Sequence, residues 1–402
     1  MPDLQAATMA GKTMTGSTGH ATDGIDLAAG VRRPSSYRYE LECLRGLAIL
    51  LVFLFHAYGV TWGAENAQVT PANAWIIAGN TGVTLFFVLS GFLLSLPWLQ
   101  AEGGKSRPSL RGFYRARCMR ILPLYLCAVA LAALITGDWE AASRAALFQP
   151  IGFEMFPFGV VWWTLCTEVQ FYILLPLAFW CVYRHPALKT LVILILGIWL
   201  AAYLYWALAW APTQSKVGWW ASKSLAGRLP AFLAGIALAF WYARLAKASP
   251  SSQLPVSSTG ALVAILAAMT YLLWRSATIG DAAAERQWHI HHTLEATCWA
   301  ALIALLLVAR PLGSSVVLNR PMAVLGKLSY SIYLNHLPIL FYLIYPLKHT
   351  PGYADSAWAY LIQALALGLS LFLGWITYRY IELPFLRRKA SGTVANTAVA
   401  GS

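Results

Sequence analysis

Residues 40–56 read Glu-Leu-Glu-Cys-Leu-Arg-Gly-Leu-Ala-Ile-Leu-Leu-Val-Phe-Leu-Phe-His, an apolar segment with an arginine near its start and a histidine at its end. The apolar run around it covers 41–60, and about 20 such residues are enough to cross a bilayer as a helix. Arg45 and His56 are eleven residues apart, close to three whole turns, so they share one helix face about 16 Å apart. Because a charged group at mid-membrane costs about 2.5–3.5 kcal/mol, this pair predicts a polar cavity or partner on that face.

The composition extends this interpretation to the whole chain of 402 residues. Hydrophobic residues make up 59% and charged residues only 11%, whereas soluble domains have about 25% charged residues. An ordinary soluble enzyme and a disordered protein are therefore excluded. We predict an all-α integral membrane protein, a bundle of about ten transmembrane helices. The predicted spans are 41–60, 75–98, 118–136, 160–183, 188–208, 225–245, 257–275, 293–310, 321–346 and 357–380.

The distribution of basic residues predicts the orientation of the bundle. The loops on the side of the termini carry 20 Lys and Arg, and the opposite loops carry five. Basic residues crowd cytoplasmic loops, so both termini are predicted to be cytoplasmic. The same rule accounts for the net charge of +13 without a nucleic-acid partner. Residues 1–36 and 391–402 are predicted to be disordered cytoplasmic tails flanking a membrane domain over 37–390, and no signal peptide is visible.

Polar residues interrupt further spans. Glu168 is predicted to lie about 12 Å below the outer boundary and His56 about 6 Å below it, so adjacent helices would bring them together, directly or through a substrate. The alternative is a structural Glu168 bonded to Tyr, Trp or Gln groups. His336 is predicted to lie as deep as His56, either in a shared polar cavity or hydrogen-bonded within the bundle. The small residues between Gly79 and Gly91 suit close helix packing or a ligand near the backbone.

Two clusters of charged or titratable side chains have competing interpretations. The basic residues between Lys105 and Arg120 are either an orientation signal or a pocket for an anionic cytosolic ligand. His289, His291 and His292 resemble a metal tract in an outer loop, but no carboxylate or cysteine set completes it at ligand spacing, although Glu285 and Glu295 are near. We therefore predict no metal site. The six scattered cysteines are interpreted as buried hydrophobic residues.

These segments, in this order, resemble the acyltransferase-3 family of integral-membrane O-acyltransferases. Arg45 and His56 match the family's Arg-x10-His signature. Five further elements look like those of the family across about residues 38–388: Gly82 to Gly91, the Arg-rich segment 113–125, Trp163 to Pro176, Ser329 to His336, and Glu382 to Pro384. Thr164 stands where the family usually has serine. The stand-alone form, without the hydrolase-like domain fused to some members, is expected.

The resemblance implies transfer of an acyl group, acetyl by default, from cytosolic acyl-CoA to a hydroxyl. The implied acceptor is a sugar, glycolipid, polysaccharide or macrolide-like molecule, and the implied location is a bacterial cytoplasmic membrane. Acyl-CoA would be a co-substrate, with no permanently bound cofactor. Two alternatives from other classes are a transporter of an anionic or glycosylated solute through the same cavity, and a scaffold for envelope assembly.

The resemblance also suggests roles for individual residues. His56 would be the general base on the acceptor hydroxyl, and Glu168 would orient His56 or position the acceptor. Arginine binds two phosphate oxygens at once, so the donor's phosphates are expected on Arg45, Arg115, Arg117 and Arg120. Oxyanion stabilisation or acceptor positioning is expected of Asn80, Ser90, Tyr330 and His336.

Overall fold

A computed structural model describes residues 39–63, 68–101, 106–208, 223–248 and 258–387, without the side chains of 206–208, 246–248 and 279–289. The predicted tails therefore lie outside the described residues. Every regular element within these ranges is helical. The helices are α1 (Tyr39–Thr61), α2 (Ala74–Ile77), α3 (Thr81–Ala101), α4 (Leu110–Thr136), α5 (Trp139–Ala146), α6 (Trp163–Arg184), α7 (Pro186–Leu208), α8 (Leu225–Ala248), α9 (Ser258–Val308), α10 (Arg320–Lys348) and α11 (Ala357–Thr377).

Nine helical segments of the described chain are long and apolar enough to cross a membrane. They match nine of the ten predicted spans, and α9 supplies two of them. The tenth prediction, 321–346, is also helical, as α10, but residues such as Asn335 and His336 lower its mean hydropathy. At 29 residues α10 is about 43 Å long, and it packs between α1 and α11. The prediction of an all-α membrane bundle is confirmed.

The part of the basic cluster from Arg111 to Arg120 and the third span form one continuous helix. Ser109 caps the N-terminus of α4 by accepting a hydrogen bond from the N–H of Gly112, at 3.1 Å. Gly137 ends the helix in the left-handed conformation, with φ of 74°, which glycine adopts without steric cost. The helix carries Arg117 and Arg120 into the bundle.

Two predicted boundaries are wrong. The second span does not run unbroken from residue 75, because α2 ends and a turn at 78–80 precedes α3. Gly79 stands against the backbone of α1 in this turn, where a Cβ atom would overlap the carbonyl oxygen of Leu51. The segment 276–292 was predicted to be an outer loop, but its backbone is helical within α9.

Helix α9 bends back on itself. The indole N–H of Trp75 donates to Thr270 Oγ1 at 2.9 Å, while the Trp75 ring lies 6.1 Å from that of Trp299. In a straight helix, Thr270 and Trp299 would be about 43 Å apart. The N–H of Leu312, beyond the helix, also donates to Thr259 Oγ1 at 3.1 Å. The two arms, 258–278 and 290–308, therefore run antiparallel and supply the seventh and eighth spans.

Glycines allow the central helices to approach one another closely. A Cβ atom on Gly46 of α1 would overlap the carbonyl oxygen of Met322 in α10, and one on Gly326 would overlap that of Glu42 in α1. Gly91 of α3 and Gly235 of α8 make the same kind of contact across the next interface. Small residues are typical of such contacts in lipid. Of the two interpretations of the second span, close packing is confirmed for Gly91.

The periphery is apolar, as expected for a surface in lipid. Large side chains along α7 are exposed, among them Leu191, Ile193, Leu194 and Ile198. A continuous apolar surface of this kind would drive aggregation in water, but it is well solvated by hydrocarbon chains. One group of polar side chains instead lies inside the bundle, where α1, α3, α4, α6 and α10 meet.

We expect Gly326→Ala to lower the apparent melting temperature of the purified protein in detergent by several degrees. The added Cβ atom would press on the backbone of α1, and overpacking a tight contact costs about 1–3 kcal/mol. Gly368→Ala in α11 is the matched control, since no heavy atom lies within 4 Å of its added Cβ atom. The same apparent melting temperature for Gly326→Ala and Gly368→Ala would contradict the close contact between α1 and α10.

Candidate functional site

A cavity of about 90 Å³ lies between α1, α3, α4, α6 and α10. Of the described residues that line it, Arg45, Arg117 and Arg120 bring guanidinium groups, and Glu168 brings the one carboxylate. The hydroxyl groups on its wall belong to Ser90, Thr164, Tyr172, Ser329, Tyr330 and Tyr333. This surplus of positive charge in a space shielded from bulk water favours an anionic ligand.

The arginines are held at different points of the wall. Arg45 donates through Nη2 to Ser329 Oγ at 3.0 Å and through Nε to the carbonyl of Gly326 at 3.4 Å, which ties it to α10. Arg117 Nε has no hydrogen-bond partner among the described residues. Arg115 is exposed and does not line the cavity, so the predicted set of four arginines is brought together only in part.

Glu168 is fixed by two hydroxyl groups. Ser90 Oγ donates to Oε1 at 2.9 Å, and the phenol of Tyr172, one turn further along α6, donates to Oε2 at 2.8 Å. Glu168 is thus hydrogen-bonded to Ser90, which lines the same cavity, and not to His56. Direct orientation of His56 by Glu168 is not what the structure shows, while a role in positioning a bound ligand stays a prediction.

The two predicted histidines face each other. His336 Nε2 lies 3.2 Å from His56 Nδ1, and the ring centroids are 5.0 Å apart. His56 Nδ1 also lies 2.9 Å from the carbonyl oxygen of Val52, and His336 Nδ1 lies 2.8 Å from that of Tyr333. The prediction that both histidines lie at the same depth is confirmed. His56 Nε2 makes no hydrogen bond within the described part of the chain.

Tyr333 connects the cavity with the histidine pair. Its ring lines the cavity and meets Phe86 edge to face, at 6.4 Å between centroids. Its hydroxyl donates to the carbonyl of Val161 at 3.0 Å and accepts from Thr164 at 2.8 Å. Since His336 follows Tyr333 by three residues, the cavity ends about one helical turn below the histidines.

The remaining predicted residues are not gathered in one place. Tyr330 lines the cavity, and its hydroxyl donates to the carbonyl of Ile121 at 2.8 Å. Asn80 is exposed in the turn before α3 and does not line the cavity.

Comparisons with known proteins identify the family of the chain. A family model described as an acyltransferase domain matches residues 38–380. The chain belongs to the acyltransferase-3 family. The match covers the Arg45–His56 helix, the cavity and the histidine pair. No solved structure matches the chain significantly.

Two curated relatives of this acyltransferase-3 chain from Staphylococcus aureus show the extent of the similarity. O-acetyltransferase OatA of strain NCTC 8325 is 25% identical over 382 residues, covering 88% of this chain and 58% of its own length. A putative O-acetyltransferase of strain MSSA476 is 23% identical over 385 residues, covering 87% and 57%. The chain thus spans less than two thirds of the length of these relatives.

Sequence reasoning missed Tyr172 and Ser329 as members of the site. Tyr172 is four residues after Glu168, so helical spacing alone puts the two on one face. Glu382 is also buried, in a π-helical turn over Tyr378–Glu382, where it accepts a hydrogen bond from Ser331. Glu382 lies at the end of an apolar run. As for Glu168, an ionisable residue in such a position indicates a polar partner inside the bundle.

A second polar cluster surrounds Glu295 in the second arm of α9. Its carboxylate is buried and accepts hydrogen bonds from Thr81 at 3.1 Å and Thr84 at 3.4 Å, and it lies 3.1 Å from His291 Nε2. His292 is the second histidine beside it. Within the described chain no group of three or more His, Cys, Asp and Glu is arranged to hold a metal ion. The side chain of His289 lies outside the described residues.

We expect Glu295→Leu to lower the melting temperature in detergent clearly more than Glu154→Leu. Loss of the buried carboxylate leaves hydroxyl groups without an acceptor, at about 1–3 kcal/mol each. Glu154 is the control because its ion pair with Arg144 is about 40% exposed, and exposed pairs contribute about 0–1 kcal/mol. Similar losses in both variants would contradict a structural role for the Glu295 cluster.

Proposed function

We propose that this protein is an O-acyltransferase that moves an acetyl group from acyl-CoA on the cytoplasmic side to a carbohydrate hydroxyl. The observation that carries the proposal is the position of the cavity. Its arginines lie near the start of α1, and its other end stops about one turn below His56, whose Nε2 is unbonded within the described chain. The names of the relatives support acetyl as the acyl group and oxygen as the acceptor atom.

The lining of the cavity suits a donor with an anionic head and a neutral arm. Arg45, Arg117 and Arg120 lie at one end and would hold phosphate oxygens. The part of the wall formed by Val83, Phe86, Phe87 and Leu165 is apolar. An uncharged pantetheine arm can follow this stretch without loss of charge solvation, and its thioester would then reach His56.

The chemical step needs one base. His56 Nε2 takes the proton of the acceptor hydroxyl while its oxygen attacks the thioester carbonyl, forming the new C–O bond. Collapse of the tetrahedral intermediate breaks the C–S bond, and the CoA thiolate leaves. The proton on Nε2 then passes to the thiolate or to water, so His56 returns to its starting state. The excess of basic residues in the loops on the side of the termini supports a cytoplasmic start of α1 and thus the proposed sidedness.

His56→Ala should abolish acetyl transfer, because the acceptor hydroxyl then has no base. We would follow CoA thiol released from acetyl-CoA by detergent-purified protein, with and without a glycolipid and polysaccharide extract. Acetyl-CoA binding, measured by calorimetry, should persist in the variant. Turnover retained in His56→Ala would overturn the role of His56, and absence of both binding and release in the wild type would favour the transporter.

Arg117→Gln and Arg120→Gln should each raise the acetyl-CoA concentration needed for half-maximal rate by about 5-fold to 30-fold, with less change at saturation. One charge-assisted hydrogen bond lost corresponds to about 1–2 kcal/mol. Arg115→Gln is the matched control, since Arg115 lies on the same helix but is exposed. An equal effect of all three substitutions would assign donor binding to the surface charge and not to the cavity.

A further inference from the structure

The geometry assigns His336 as a positioning residue, one that holds His56 with a proton on Nδ1 and a lone pair on Nε2. The inference rests on the proposed function, in which His56 Nε2 is the base. It gives His336 a role different from the oxyanion or acceptor contact predicted from the sequence. His336 is fully buried, so its ring contacts other side chains and the backbone and not a ligand in the cavity.

Two backbone carbonyls determine the tautomers of the pair. A carbonyl oxygen only accepts hydrogen bonds, so His336 Nδ1, 2.8 Å from the oxygen of Tyr333, carries a proton. In the neutral ring, His336 Nε2 is then an acceptor. His56 Nδ1 lies 2.9 Å from the carbonyl oxygen of Val52 and therefore also carries a proton. That proton lies between two acceptors, Val52 O and His336 Nε2.

The opposite assignment is unfavourable at both ends. If His336 donated from Nε2 to His56, the Nδ1 lone pair of His56 would face the carbonyl of Val52. In the neutral ring, the Nδ1 lone pair of His336 would then also face the carbonyls of Tyr333 and Ile332, at 2.8 and 3.2 Å. Two buried hydrogen bonds would be lost, at about 1–3 kcal/mol for each unsatisfied group.

Aromatic neighbours restrict rotation of the two rings. Phe55 meets the His56 ring edge on, with centroids 4.9 Å apart, and Phe53 lies 6.5 Å from the His336 ring. With the tautomer and the ring plane both fixed, Nε2 is the His56 atom left to accept a proton. During transfer Nε2 gains the proton of the acceptor hydroxyl, and the Nδ1–H bond to His336 stabilises the imidazolium that forms. The bond itself neither breaks nor passes on a proton.

The test compares His336→Gln with His336→Asn, each of which keeps one half of the histidine's contacts. The amide oxygen of Gln reaches the position of Nε2 and can accept from His56. The amide nitrogen of Asn replaces Nδ1 and keeps the bond to the carbonyl of Tyr333, but it does not reach His56. We expect His336→Gln to keep kcat within about 5-fold of wild type and His336→Asn to lose about 10-fold to 100-fold, with both KM values unchanged.

Each outcome of the comparison decides the inference. Better activity of His336→Asn than of His336→Gln would show that only the contact within α10 matters and would overturn it. A raised KM for the acceptor with unchanged kcat would also overturn it and would support acceptor binding. Gel filtration and melting in detergent identify variants that fail to fold. If either amide variant fails to fold, His336→Met is the further test. Because methionine makes neither hydrogen bond, this variant must lose kcat at least as strongly as is expected of His336→Asn. If the wild-type protein showed no turnover of acetyl-CoA, that result would contradict the proposed function and not the role of His336.

Discussion

Gly46 and Gly326 allow the backbones of α1 and α10 to touch, and this contact fixes the relative heights of all side chains on the two helices. Because the helices run parallel, Arg45 meets Ser329, and His56 meets His336 about three turns further along α1 and two turns further along α10. A shift of either helix by one turn, about 5.4 Å, would separate both pairs at once. The cavity and the base are therefore positioned by a contact that contains no functional group.

The polar groups inside the bundle form short networks that join helices otherwise separated by apolar surface. Glu168 joins α6 to α3 through Ser90, and Glu295 joins α9 to α3 through Thr81 and Thr84. Glu382 joins the end of the chain's last span to α10. In hydrocarbon there is no water to satisfy a polar group whose partner is lost. Each network thus selects one packing arrangement from the many that apolar helices allow.

Features that depend only on position along a single helix, such as span limits, common faces and depth, can be predicted from the sequence. The apolar runs predicted the spans, and the spacing of Arg45 and His56 predicted their common face. Counting residues from the span ends also predicted that His336 lies level with His56. Lateral neighbours are different, because hydropathy does not say which helix packs on which. For that reason the predicted partner of His56 was Glu168, although His336 stands there, and the bend of α9 was not predicted.

The order of charged and apolar surface along the cavity bears on the choice between transfer and transport. Arg45, Arg117 and Arg120 line the cavity together with apolar side chains such as Val83, Phe86 and Leu165, and the histidines lie beyond it. A charged solute that passed through would have to give up its contacts with these arginines, at a cost of several kcal/mol. A donor that keeps its phosphates on the arginines and extends only a neutral arm meets no such cost. The arrangement therefore favours acyl transfer, in which the donor stays bound to the arginines and reacts at its other end. It disfavours transport, in which a charged solute would pass through the whole cavity.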